Sequence, residues 1–270
     1  MSLFAPPRAS RYAWKVWQRN RDVFLKTWKT NFMPPFLEPV LYLAAMGFGL
    51  GALVVLGDEV PRYRGIDYPE FIAPGLVAAA MMNAAFYECM YGSYVRMYYQ
   101  RTWDAIVATP VSMDDVLAGE ILWGATKSML YAVPTLLVAS AFGLVSWPQA
   151  LVVVPLAVFA GMMFAGLAIT FTALAPSIDS FNFPVFLFAV PMFLFSGTFF
   201  PLEMLPRSLQ VVAWFLPLTH VVAIARAATF GWLGRPEGVE ALWQGALWML
   251  VVGGLAYVVS VNLMKRRLVK

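Results

Sequence analysis

Residues 150–174 read ALVVVPLAVFAGMMFAGLAITFTAL, without a single charged side chain. About 20 largely apolar helical residues cross a bilayer core, so this stretch reads as a transmembrane helix. Outward from it, runs of similar length and character fall at 33–57, 71–95, 118–143, 180–200 and 242–264. Composition agrees: the 270 residues are 61% hydrophobic and 13% charged, with a mean hydropathy of +0.70. Soluble domains are roughly 45–50% apolar. The expected fold class is an all-α integral membrane protein of six transmembrane helices, one domain over 1–270 with its spans within 33–264.

Lys and Arg near span ends set orientation. With both termini in the cytosol, that side receives thirteen of the nineteen positive residues. Seven lie in residues 1–31, two are Arg96 and Arg101 in the 96–117 connection, and four are Lys265, Arg266, Arg267 and Lys270 in the 265–270 tail. Arg62, Arg64, Arg207, Arg226 and Arg235 fall outside, and Lys127 lies within a span. The net charge of +4 is thus a topology signal, and nucleic acid is not an expected partner. The seven N-terminal cations are spread along their segment without a compact apolar core, which is not the form of a signal peptide. There, Lys15, Arg19, Asp22, Lys26 and Lys29 recur at helical steps opposite Trp14, Trp17, Phe24, Leu25 and Trp28. This is the pattern of an amphipathic interfacial helix on the cytosolic surface, or of a simple cationic flank.

Between the fifth and sixth spans, residues 201–231 hold two apolar stretches, 209–216 and 221–230, broken at Pro217. Neither is long enough to cross about 30 Å of hydrocarbon. A re-entrant helical hairpin in the outer leaflet is expected, the alternative being an amphipathic external loop. His220 within it reads as a hydrogen-bonded structural residue.

Polar positions mark the candidate sites. In the 96–117 loop, Tyr99, Trp103 and Ile106 share one helical face up to Pro110, Ser112 and Asp115 make a capping box for the next helix, and Arg101 and Asp104 are expected to be exposed. A short capped helix of this kind suits docking into a partner's groove; a capped loop without a partner is the other reading. Glu88 and Lys127 lie at similar depth in neighbouring spans and are placed to pair, either within one chain or across a dimer axis, because an unpaired charge there is costly. Glu38 and Glu120 are nearer the interface and expected to be hydrated. Tyr87, Tyr91 and Tyr94 recur at helical spacing as a possible substrate path for sugar rings, or as an interfacial tyrosine belt.

Several classes are disfavoured. One histidine and one cysteine, Cys89, do not make a metal site, and no cofactor is expected in this chain. The stretch GEILWGATKS (119–128) does not place its lysine directly after the second glycine as a phosphate-binding loop requires. No connection is long enough for an ATPase domain. A gradient-driven secondary transporter would show inverted halves and midspan acidic relays, and the halves 33–143 and 150–264 show no such similarity.

The stretch 195–226, FSGTFFPLEMLPRSLQVVAWFLPLTHVVAIAR, resembles the signature of the permease subunits of the ABC-2 type transporter family. The matching positions are Ser196 and Gly197, Phe200 and Pro201, Leu205 and Pro206, Leu216, Pro217, Leu218, Thr219 and His220, and Arg226. QRTWDA (Gln100 to Ala105) and AGE (Ala118 to Glu120) resemble the nodulation-factor exporter branch, with Asp104 in place of its glutamate. The resemblance implies a homodimer in the bacterial inner membrane, surrounded by membrane lipids. Each subunit would be joined to a separate cytosolic ABC ATPase, two copies in all, that holds the ATP and Mg. That ATPase would dock on Gln100, Arg101, Thr102, Trp103, Asp104 and Ile106. The implied cargo is a lipo-oligosaccharide or other amphipathic glycolipid moved outward; a drug or lipid exporter of the same architecture is the nearest alternative.

Overall fold

The computed structural model describes residues 6–51, 54 and 60–268, and every regular element among them is helical. We label these elements α1 (Ala13–Lys26), α2 (Pro34–Tyr42 running on through Leu43–Leu50), α3 (Tyr68–Tyr99), α4 (Thr102–Val107) and α5 (Met113–Ala141). They continue as α6 (Gln149–Leu174), α7 (Ile178–Phe195), α8 (Arg207–Phe215), α9 (Pro217–Thr229) and α10 (Pro236–Leu268). Helices α3, α5, α6, α7 and α10 are each long and apolar enough to cross a membrane. Helix α2 covers the start of the other expected span. Its residues 52, 53 and 55–57 lie outside the described residues, as do Asp58, Glu59 and Lys270.

Lipid tails are as apolar as leucine, so helices in a bilayer associate by close packing, and small residues permit it. The quoted stretch shows this directly. Ala157, Ala160, Gly161, Ala165 and Ala168 are buried on α6 beside the larger Leu156, Met163, Phe164 and Ile169, while Phe159 and Leu174 stay exposed. Helix α6 consequently contacts α3, α5, α9 and α10. At the junction of α3, α5 and α6, a Cβ on Gly124 would lie 2.5 Å from Cys89 Sγ and 2.7 Å from Ala165 Cβ. Gly124→Leu is therefore expected to wedge these helices apart at a cost of about 1–3 kcal/mol, read as a lower melting temperature of detergent-purified protein.

Several helix ends differ from expectation. Helix α3 continues past 95 to Tyr99, and α10 runs from Pro236 to Leu268 rather than 242–264. Lys265, Arg266 and Arg267, expected in a tail, are its last turn. Hydropathy marks a boundary where charge begins, but an arginine or lysine continues a helix readily.

Between α7 and α10, helices α8 and α9 meet at 89°. Pro217 is the first residue of α9, where its missing N–H has no helical partner to lose. Val211, Val212, Trp214 and Phe215 of α8 are exposed, whereas α9 is buried at every residue except Ala223. An external amphipathic loop would leave one face of α9 uncovered; the pair is instead a sharply bent helical hairpin, a shape that suits a re-entrant loop or a broken span.

Candidate functional site

Glu88 and Arg96 lie two turns apart on one face of α3, with Gly92 between them. The turns there widen to π-helical geometry over Glu88–Gly92 and Val95–Tyr99, a distortion common at functional sites. A Cβ on Gly92 would sit 2.7 Å from Glu88 Oε1 and 3.1 Å from Arg96 Nη1. The glycine thus leaves room for Arg96 Nη1 to reach Glu88 Oε1 at 2.9 Å. The same guanidinium donates to Glu120 on α5, from Nε at 3.1 Å to each carboxylate oxygen. Ser93 Oγ and Asn20 Nδ2 donate to the same carboxylate at 2.9 and 3.1 Å. Lys127, two turns beyond Glu120, approaches Glu88 Oε2 at 3.6 Å. Two acids and two bases therefore share one network, and Glu88 and Lys127 pair within one chain.

Two sequence expectations are corrected here. Glu120, expected to be hydrated, is only 1% exposed, because α1 lies across the start of α5. Ala13, Val16 and Asn20 form the buried face of α1. Trp17 Nε1 donates to Thr126 Oγ1 at 2.8 Å. Arg96, read from sequence as a loop cation, is the centre of the cluster. Arg19 adjoins it: burial, then the neighbouring Arg96 charge, lower its basicity from the usual arginine value, with Glu120 opposing. It donates to Asn20 Oδ1 at 3.0 Å and to Thr102 Oγ1 at 3.4 Å.

Glu88, Tyr91, Gly92 and Lys127 line two adjoining clefts. One, of about 450 Å³, also takes in Glu38, Asn83, Tyr87 and Tyr131; the other, of about 390 Å³, is bordered by Arg19, Phe24, Gln100 and Trp123. Tyr87 and Tyr91 thus face open space as expected, but Tyr94 does not. It is 1% exposed, stacks on Tyr98 at 5.5 Å and donates to the Pro176 carbonyl at 3.3 Å.

At one end of the bundle, α4 opens at Arg101 in the left-handed region with φ 48°. Gln100, Arg101 and Asp104 are exposed and Thr102 and Ile106 half-buried, while Trp103 is 1% exposed within the cluster of Val16, Met97, Val116 and Leu117. Trp103, expected on a docking face, is instead buried beneath the exposed side of α4. The Ser112 and Asp115 capping box forms as expected. The Ser10 and Arg8 N–H groups donate to Asp115 and Asp114, and Lys265 pairs with Asp114, so both end segments converge on this loop.

In the hairpin, Thr219 Oγ1 donates to the Ala213 carbonyl at 2.6 Å and His220 Nε2 meets the Trp214 carbonyl at 2.8 Å. These are among the last carbonyls of α8; that of Ala213 also accepts from the Leu216 N–H at 3.0 Å. The His220 ring also stacks on Trp248 at 4.8 Å, so its contacts hold α9 against α8 and α10. Arg226 Nη2 donates to the Gly197 carbonyl at 2.7 Å, and its Cζ lies 4.0 Å from the Phe71 ring centroid. Arg226, read from sequence as an external cation, is buried. Pro201 is buried and Pro206 exposed directly before α8.

A model of the ABC-2 type transporter matches residues 12–230. The chain belongs to the ABC-2 type transporter family. Nodulation protein J of Sinorhizobium fredii is 37% identical over 253 residues, covering 94% of this chain and 92% of that protein. Nodulation protein J of Rhizobium leguminosarum bv. viciae is 36% identical over 255 residues, covering 94% of each. The inner membrane transport permease YadH of Escherichia coli is 20% identical over 251 residues, covering 93% of each. This ABC-2 permease is accordingly a membrane-embedded transport subunit. Of the residues that carried the resemblance, Arg226 ties the hairpin to the Gly197 carbonyl just after α7 and to the Phe71 carbonyl of α3, while Thr219 and His220 tie α9 to the end of α8. The intramembrane charges form a separate group, in which spacing was the available signal: Glu88, Gly92 and Arg96 at steps of four, and Glu120 and Lys127 seven apart.

Proposed function

We propose that this ABC-2 permease is the membrane half of an ATP-driven exporter in the bacterial inner membrane, with both termini cytosolic. Two copies form a homodimer, and each binds a separate cytosolic ABC ATPase that supplies ATP and Mg. The cargo is a lipo-oligosaccharide or a similar amphipathic glycolipid, moved outward from the cytosol or the inner leaflet. The observation that carries this reading is the α4 loop: Gln100, Arg101 and Asp104 face outward from a helix pinned from below by Trp103. A docking surface needs this combination, since a pushed helix transmits motion only if it is held to what it must move.

The hydrogen bonds support a route inward. Thr102 on α4 meets Arg19, Arg19 meets Asn20, Asn20 meets Glu120, and Arg96 joins Glu120 to Glu88 at the wall of both clefts. ATPase closure would shift α4 and, through this chain, α1, α3 and α5, a rigid-element motion of a kind used by other switching proteins. The cargo assignment draws on the similarity to the nodulation J proteins and on the tyrosine-lined clefts. The test is co-expression with a candidate partner ATPase and reconstitution in liposomes. ATP turnover is expected to require this chain and to rise with an acylated oligosaccharide; an ATPase that neither binds the chain nor changes its turnover in its presence rules the reading out.

A further inference from the structure

At the end of α3 away from α4, a cavity of about 250 Å³ lies between the connection that follows α7, helix α9 and the start of α10, with Arg226, Ser196, Trp232, Glu237 and Gly238 among its walls. Arg226 is 8% exposed, and an arginine keeps its proton in proteins. Its contacts are with neutral groups: the Gly197 and Phe71 carbonyls, the Tyr63 hydroxyl and the Phe71 ring. Among the described residues it has no ion-pair partner, and Glu203, whose charge does reach it, is held by Arg62 at 2.9 Å. A buried charge without a counter-charge is strongly unfavourable. Three buried polar atoms here also have no hydrogen-bond partner among the described residues: Arg226 Nε, Ser196 Oγ and, one residue past Gly197, Thr198 Oγ1. A second feature favours negative charge. Helix α10 begins at Pro236, so Glu237 and Gly238 on the cavity wall belong to its first turn. Backbone N–H groups there have no partner within the helix, and the helix dipole adds partial positive charge.

We infer that this cavity is a site for one singly charged oxyanion, a carboxylate or a phosphate diester, held between the Arg226 guanidinium and the first turn of α10 with Ser196 Oγ as a further donor. The surrounding charges set the preference for a single charge. Arg62 and Glu203, both on the cavity wall and partly exposed, neutralise each other. That leaves Arg226 as the uncompensated cation of the described walls, and the exposed Glu237 opposes a second negative charge. Water fills the volume without supplying a counter-charge. The bound anion joins α9, α10 and the segment after α7, and so sets how firmly the hairpin is held. Such a group arrives either as a free ion or as the headgroup of a lipid. Nothing in the site depends on the identity of the exported cargo.

Trifluoroacetate is the probe, because its fluorine resonance broadens when the ion exchanges onto a slowly tumbling protein. The full chain, stripped of lipid in dodecyl maltoside, is titrated at constant chloride and ionic strength. Saturable broadening is expected, reversed by acetate and by dimethyl phosphate, with sulfate competing several-fold less well. Ala223→Phe places a ring on a half-buried wall residue of α9 and leaves Arg226 in place, so the protein should stay folded and lose the broadening. Ser196→Ala, which removes one donor to a charged group, should weaken binding about tenfold. Arg226→Gln should abolish it too, but it also loosens the hairpin, so Ala223→Phe and Ser196→Ala decide. Nanodiscs then identify the source. Broadening that phosphatidylglycerol removes and phosphatidylcholine does not assigns the site to a lipid headgroup; broadening that persists in both assigns it to a free ion. Absence of saturable broadening, or broadening that Ala223→Phe and Ser196→Ala leave unchanged, overturns the site. Sulfate that competes as well as acetate overturns the single-charge assignment.

Discussion

Arg96→Met is expected to be severely damaging, lowering stability by about 3–5 kcal/mol and leaving little monodisperse protein after detergent extraction. The methionine matches the length of the arginine stem, so little packing is lost. What is lost is the counter-charge of two carboxylates. Among the described residues Glu120, 1% exposed, keeps Ser93 and Asn20 as donors, and Glu88 keeps Lys127, at 3.6 Å, and a hydrogen bond from Trp123. Hydrogen bonds from neutral donors only partly offset a carboxylate stranded in a low-dielectric interior. A buried ion pair can contribute little relative to a well-packed apolar replacement, yet removing one partner alone is severe. This gives the prediction a second arm. Adding Glu120→Gln to Arg96→Met removes the stranded charge and is expected to recover part of the lost melting temperature. If Arg96→Met melts within a degree of the parent, the network is not holding α1, α3 and α5 together. If the double variant melts below the single one, the charge argument is wrong and the loss comes from packing.

The spans were legible in the sequence because bilayer hydrocarbon imposes a length on any apolar helix, and 150–174 meets it without a charge. The hairpin was legible for the complementary reason: two stretches too short to cross, with a proline between them. The charge cluster was not, and Glu120 shows why. Its position on α5 places it near a helix end, where water is the default, but depth along one helix says nothing about what lies over it. Here α1 crosses that end and puts Asn20 on the carboxylate, a tertiary contact between residues 100 apart in sequence. Arg96 was obscured differently. As a cation beyond an apolar run it counted toward topology, although its spacing from Glu88 across Gly92 already matched one helical face. Trp103 illustrates a third limit. Its common face with Tyr99 and Ile106 could be read from spacing, but the direction of that face depends on the cluster around Val16, Met97, Val116 and Leu117, which assembles only in the fold.

That direction makes α4 the place where stability and coupling are expected to separate. Trp103→Ala removes a fully buried indole outside the spans, where burial still draws on the hydrophobic effect, and should cost about 3–5 kcal/mol. The loop should become susceptible to protease between 100 and 112, and ATPase association should fall because α4 no longer has a fixed position. Asp104→Arg alters an exposed side chain that accepts no bond from another element among the described residues, so its stability should stay within about 0.5 kcal/mol of the parent. On the proposed docking face, however, a reversed charge juxtaposes like with like, or leaves a partner cation without its acceptor. Such contacts act on both encounter rate and affinity, and at least a tenfold weaker association with the ATPase is expected. Pull-down of the ATPase and ATP turnover in liposomes, set beside melting curves for both variants, distinguish the two roles. Full ATPase association by a well-folded Asp104→Arg protein would move the docking surface away from α4. Unchanged melting of Trp103→Ala would mean that α4 hangs free of the bundle, and a helix without an anchor cannot pass a push from the ATPase to the clefts.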